Sequence, residues 1–279
     1  MPGVTITIHL TSDEGNSLRI ASVANWNGKA FVAPRAEFKQ LLARDEVKRA
    51  GIYFLLGHDV ITNEPRAYIG EADSVRKRLP NHNDKEFWNE VIVIVSSDSS
   101  LHKGHVKYLE GRLLEEAKKA GRCKVTNDQN SASSLPEFER ENMEVFLSKV
   151  RLLLPVLNCD LITPLVKGAD RGSGPKLTGE VKGLVAAGQR TAKGFVVFAG
   201  SQATKNYRKS AASYMIDGRN KLIAGKKLIP AGGHYEFTQD CEFATPTAAA
   251  AVICGGHVNG LTFWKTKDGK ELKELEKEL

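Results

Sequence analysis

Two short apolar runs, Gly51-Ile52-Tyr53-Phe54-Leu55-Leu56 and Ala67-Tyr68-Ile69-Gly70, constrain this chain more than any other feature. Both are rich in β-branched and aromatic residues, which suit a pleated, half-buried surface. Gly57, Asn63 and Pro65 punctuate the stretch between them, so the runs read as an antiparallel hairpin with a tyrosine on each strand. After the hairpin, Asp73 or Ser74 can cap a helix that keeps Val75 and Leu79 on one face with Arg78 beside it, and Pro80 ends that helix. The unbroken run Val91-Ile92-Val93-Ile94-Val95 has the composition of a central strand buried on both faces. A helix over about residues 102–120 follows, on which Val106, Leu113, Leu114 and Ala117 share a face with Glu110. A carboxylate inside an apolar stripe either protonates or finds a cation. An ion pair with Arg78 or Arg112 and a divalent metal are the two alternatives.

The tripeptides Gly51-Ile52-Tyr53 and Tyr68-Ile69-Gly70, followed in order by Arg78, His82, Glu110 and Asn127, resemble the GIY-YIG endonucleases. The likeness covers roughly residues 48–130, under a third of the chain. It departs from the family pattern in a longer loop between the strands, in Glu71 after the second motif, and in Pro80 between Arg78 and His82. What the resemblance implies is an α+β module with a small antiparallel sheet flanked by helices, hydrolysing DNA phosphodiester bonds with Mg²⁺ or Mn²⁺. By the same resemblance the catalytic set is Tyr53, Tyr68, Arg78, His82, Glu110 and Asn127. Glu110 is the metal ligand, and Gly70, Arg78 and Asn127 bind substrate. Tyr53 is the general base or relay for the attacking water, a role that needs Arg78 to depress a phenol pKa near ~10. Restriction or defence and repair are the physiological settings. A catalytically inactive DNA-binding module of the same fold is the alternative.

Outside the module, residues 4–10, 18–23 and 29–33 read as strands, the last after an Asn27-Gly28 type I′ turn, with a helix over residues 35–49. The expected organisation is a β-rich extension with its helix at 1–50, the nuclease module at 51–130, and an amphipathic helix packing on it at 131–160. A linker at 161–190, centred on the Gly-rich stretch 167–176, then leads to a second small α+β domain at 191–279. In that last domain Thr245-Pro246-Thr247 is a strong helix start. That helix, the Asn259-Gly260 turn and a Phe263-Trp264-Lys265 strand resemble a small domain of uncharacterised function (DUF4357-like) that accompanies such nucleases. Tyr207, Arg208, Lys209, Tyr214, Arg219 and Lys221 on a helical stretch are candidate DNA contacts, with a solvated helix face as the equal alternative.

At 279 residues the chain is long enough for two cores, and a net charge of +7 favours an anionic partner such as DNA. Four scattered cysteines with no CxxC pair write neither a zinc ribbon nor a disulfide framework, which points to a reducing, cytoplasmic setting. No apolar run approaches bilayer length and no leader is expected. His102 and His105 lie three apart on a helix, but no third ligand stands at a supporting spacing, so a zinc centre is not expected there.

Overall fold

The computed structural model describes residues 3–13, 15, 17–60, 64–127, 134–164, 174–191, 194–209 and 211–277. The chain forms two compact units, Met1–Pro164 and Leu165–Leu279. The loop residues expected at 61–63 and 128–131, and most of the Gly-rich linker, lie outside the described residues.

Unit 1 is α+β. Its strands are β1 (Ile6–Leu10), β2 (Arg19–Val23), β3 (Gly28–Pro34), β4 (Gly51–His58), β5 (Pro65–Ala72), β6 (Trp88–Ser96) and β7 (Lys124–Val125). Its helices are α1 (Phe38–Ala43), α2 (Val75–Arg78), α3 (Lys103–Ala120) and α4 (Glu137–Val156). Among the described residues one seven-stranded sheet runs β1-β2-β3-β6-β4-β5-β7, antiparallel except for the short β5/β7 pair. The sheet is therefore not small: β3 pairs with β6 from Gly28 to Pro34, so the N-terminal strands continue the module's sheet. That pairing occupies what would otherwise be an open, aggregation-prone edge. β6 lies at the centre, and Val91 to Val95 are fully buried, as a strand covered on both faces requires.

Two local expectations fail for identifiable reasons. Asn27 is drawn out of a tight hairpin turn because its amide donates to Asp98 (2.9 Å) and Ser100 (3.1 Å), and the bend falls at Asn25, whose φ is 57°. The helix expected over 35–49 breaks into α1 between two 3₁₀ turns, because Arg44 is extended.

Period-two alternation sorts the sheet's two faces. One carries Ile52, Phe54, Ala67, Ile69, Ile92 and Ile94 against α3 and α4. The other carries Tyr53, Leu55, Val91, Val93 and Val95 with Val75 and Leu79 of the α2 segment. Salt bridges tie α3 to α4: Arg112 Nε lies 2.6 Å from Glu144, and Arg151 bonds both Glu116 and Glu144.

Unit 2 is also α+β. Its strands β8 (Leu177–Val181), β9 (Leu184–Thr191), β10 (Gly194–Val197) and β14 (Cys241–Phe243) form the antiparallel sheet β14-β10-β9-β8. A second sheet orders β11 (Gln202–Thr204), β13 (His234–Phe237) and β12 (Leu228–Ala231) as β11-β13-β12. Helices α5 (Ser213–Ala224), α6 (Pro246–Cys254), α7 (Gly260–Phe263) and α8 (Leu272–Leu275) complete it. Residues 177–190, read from sequence as the end of the linker, carry β8 and all but the last residue of β9. Their Gly and polar residues hid a strand, and Gly179 is there because the Phe263 ring covers it, 2.0 Å from where a Cβ would stand. At the expected α6 start, Thr245 Oγ1 accepts from Ala248 N at 3.0 Å. Asn259-Gly260 opens a helix rather than a strand, because Asn259 Oδ1 accepts from Leu261 N and caps α7.

Candidate active site

The hairpin register sets the phenols. Tyr53 pairs with Gly70 and Leu55 with Tyr68, so the two tyrosines project from the same face, diagonal to one another. Their rings lie 6.1 Å apart, centroid to centroid, with planes 21° apart. Gly70 makes this possible: a Cβ there would stand 2.4 Å from Tyr53 Cζ. Its missing side chain serves the Tyr53 ring, where the resemblance implied an approach of substrate to backbone.

The segment after the hairpin brings the third ring. α2 is followed by a 3₁₀ turn, Leu79–His82, that absorbs Pro80 and turns His82 inward, where it is only 4% exposed. His82 Nε2 is 2.9 Å from Tyr53 Oη, and its ring is 4.7 Å from that of Tyr68. Among the described residues its Nδ1 is buried without a hydrogen-bond partner. An orphan lone pair is less costly than an orphan N–H, so the neutral ring carries its proton on Nε2 and donates to Tyr53. Burial, with Lys85 and Arg78 nearby, lowers the His82 pKa to about 4 and keeps it neutral.

Arg78 is exposed and its guanidinium acts on both phenols, Tyr53 most strongly. Tyr53 nonetheless has its pKa raised, because burial outweighs the lowering by Arg78. The expected depression of this phenol is therefore absent in the free protein. Tyr68 is half-buried and is the phenol nearer to solvent.

Glu110 sits on α3, which packs on the opposite face of the sheet, and is 8% exposed. Arg112 is engaged by Glu144, and among the described residues the Glu110 carboxylate has neither a hydrogen bond nor an ion pair. Burial first, then repulsion from Glu71, raises its pKa to about 7, opposed by Lys103 and Arg78. Glu71 itself is held by Lys103 at 2.9 Å. Arg78 is thus the group whose charge reaches both the phenols and the acid, around the end of β5. Two carboxylates on one face, the buried one without a partner, are oxygen donors of the kind a hard divalent cation takes. Such a cation would release the proton that burial holds on Glu110.

Asn127 lies at the same end of β5. Its Oδ1 accepts from Ile69 N at 3.2 Å and its Nδ2 donates to Ile69 O, so the amide extends the sheet edge by one rung past β7. The structure therefore draws Tyr53, Tyr68, Arg78 and His82 into one cluster, puts Asn127 on the backbone beside Gly70, and holds Glu110 across the sheet.

Sequence reasoning missed a different constellation. α4 delivers Glu139 to the first turn of α3, where its Oε2 is 3.6 Å from His102 Nε2 and 3.4 Å from His105 Nε2. One ligand-type atom from each residue lies within 4.8 Å of the others, so a metal can be held there. An i, i+3 histidine pair was the only trace in the sequence.

In unit 2, Tyr214 is exposed, as are Arg208, Lys209 and Lys221. Arg219 is not available to a ligand: it is 1% exposed, with its guanidinium turned to backbone carbonyls.

Residues 177–276 match a family described as a domain of unknown function, DUF4357, so the C-terminal unit is DUF4357-like. No curated protein and no solved structure matches the chain. Among the described residues no helix is long and apolar enough to cross a membrane.

Proposed function

We propose that unit 1 is a metal-dependent DNA endonuclease of the GIY-YIG type. The observation that carries the reading is a buried acid, Glu110, with neither a hydrogen bond nor an ion pair among the described residues, set around one strand end from a cluster of two phenols, an imidazole and a guanidinium. Glu110 is the ligand for a Mg²⁺ or Mn²⁺ ion, which when bound supplies positive charge to the leaving oxygen of a phosphodiester. Arg78, exposed and forked, bonds the non-bridging phosphate oxygens and meets the charge that grows on them. Tyr68, the phenol nearer to solvent, positions the attacking water, and Tyr53 packs behind it. His82 orients Tyr53 by donating to its oxygen. Lys103 neutralises Glu71, so the second carboxylate does not repel the DNA backbone. Gly70 and Asn127 hold the end of β5 in the shape that this arrangement needs.

Supercoiled plasmid incubated with the protein tests the reading. Nicking or linearisation is expected with Mg²⁺ or Mn²⁺ and not with EDTA, and Glu110→Ala should abolish it while the protein stays folded. Cation-dependent cleavage by Glu110→Ala would remove the assignment of the acid. DNA retention without cleavage by the wild-type protein would leave only the binding-module alternative.

A further inference from the structure

We infer that His102, His105 and Glu139 form a second metal site, for a first-row transition dication of the zinc class, clasping the first turn of α3 to the first turn of α4. The site is independent of the nuclease reading and would stand without it.

The distances support a common ligand better than a hydrogen-bonded pair. The His102 and His105 rings stack 3.6 Å apart with planes 27° apart, and both Nε2 atoms face the same carboxylate oxygen. Their separations from it, 3.6 and 3.4 Å, are long for hydrogen bonds. They are close to ~3.3 Å, the edge of a tetrahedron whose centre is about 2.0–2.1 Å from each vertex, as in zinc sites. Both ring nitrogens of His105 are buried and, among the described residues, neither is within ideal hydrogen-bond geometry of its nearest polar neighbours, the Ser100 backbone and Glu139, although the side chain is 12% exposed. A metal on one of them would answer half of that deficit. Beside the ligands opens a cleft of about 640 Å³ that also includes Asn27, Asn142 and Trp26, leaving room for a water in a fourth position.

The donor set selects the ion. Two imidazoles and one carboxylate suit zinc and its neighbours, whereas Mg²⁺ prefers oxygen ligands. Glu110, with Glu71 beside it, has the opposite character. Two adjustments are required: the stacked rings must splay so that their lone pairs converge on one ion, and His102 must change tautomer, because its Nδ1 accepts the Gly104 amide at 3.1 Å and its Nε2 carries the ring proton in the free protein. Ligation moves that proton to Nδ1 and gives up the helix cap, weakening binding by about fivefold to tenfold. A three-ligand site tolerates that loss.

Zn²⁺ titration followed by calorimetry, with Co²⁺ as the spectroscopic probe, tests the site in the full chain carrying Glu110→Gln, so that the acid further along α3 does not contribute. One Zn²⁺ per chain, visible d–d bands of a tetrahedral nitrogen and oxygen site with Co²⁺, and a rise in melting temperature with either ion are expected. Added to that background, His102→Asn keeps a good capping side chain but no imidazole, and Glu139→Gln changes a partly exposed side chain. Each should weaken Zn²⁺ binding by at least ~10-fold to 100-fold without unfolding the protein. The absence of a stoichiometric ion in the parent, or undiminished affinity in both variants, overturns the proposal.

Discussion

Among the described residues each unit buries one acidic or basic side chain that can carry full charge, Glu110 or Arg219, and the two are treated in opposite ways. Arg219, at 1% exposure, donates Nε to Val252 O at 3.0 Å, reaches Lys205 O, Ile253 O and Thr204 Oγ1, and lies 4.8 Å from the Tyr207 ring. Val252 and Ile253 are in the last turn of α6, so the cation sits on the negative end of a helix. Glu110, at 8% exposure, meets apolar neighbours and another carboxylate, a cost that Lys103, Arg78 and Lys107 offset only in part. A buried charge answered by main-chain carbonyls is part of the architecture. One left unanswered among the described residues is kept at the expense of stability for something that arrives later.

The largest effect expected breaks that comparison on the Glu110 side. Glu110→Gln should reduce cation-dependent DNA cleavage by ~10³-fold or more, the scale on which one charge-stabilising group acts. The same change should stabilise the fold at alkaline pH. With its folded pKa raised to about 7 from 4.5, Glu110 contributes stability that is present below pH 4.5 and is lost as pH rises through 7. Urea unfolding at pH 8 in EDTA should therefore show the variant more stable by roughly 2–3 kcal/mol. Loss of stability with loss of cleavage would mean that the acid has an ordinary structural partner.

Arg219→Ala probes the other side. Removing the guanidinium strips the α6 carbonyls of their donors and opens a cavity, which should destabilise unit 2 by about 3 kcal/mol or more. Hydrogen exchange should lose protection in α5, α6 and β11 while DNA cleavage per folded molecule is unchanged. A fall in cleavage without that loss of protection would make Arg219 a functional residue.

The same contrast explains what the sequence could and could not disclose. Tyr53 and Tyr68 sharing a face follows from the hairpin alone, and Glu110 inside an apolar stripe follows from helical spacing. Arg219 looked like a phosphate contact, because the groups that satisfy it are main-chain carbonyls with no side-chain signature. Glu139 was invisible for a different reason: only the packing of α4 on α3, held by the Arg112–Glu144 and Arg151–Glu116 bridges, brings it to the two histidines. β8 and β9 were lost because the residues that face Phe263 and Phe195 are glycines. In the sequence the proposal of DNA-cleaving chemistry rests on resemblance alone, since no spacing rule says that Arg78 acts on groups at both faces of a sheet.

His82 stands between the two extremes, bonded at Nε2 and orphaned at Nδ1. Its pKa is lowered from 6.5 to about 4, so it contributes stability above pH 6.5 that is lost as pH falls toward 4. Relative to wild type, His82→Asn should lose roughly 2 kcal/mol less between pH 7 and pH 4.5, measured by urea midpoints. Equal acid sensitivity in both proteins would show the imidazole to be open to protons in the fold.

Asn127 is the sharpest test because it belongs with Arg219 by its bonds and with Glu110 by its position. Both ends of its amide are spent on Ile69, donor to acceptor and acceptor to donor, at the point where β7 has stopped pairing with β5. If satisfaction by main chain marks architecture, Asn127→Ala should remove that rung and destabilise unit 1 by ~1 kcal/mol, the net worth of a hydrogen bond or two. The end of β5 would loosen, so KM for DNA should rise modestly while kcat and cation affinity stay within a few-fold of wild type. Asp in its place keeps the acceptor for Ile69 N and loses the donor, so Asn127→Asp should leave Ile69 O unpaired and destabilise further. A fall in kcat of ~100-fold at unchanged stability would put the amide on the reacting phosphate, and a satisfied side chain could then no longer be set aside as structural.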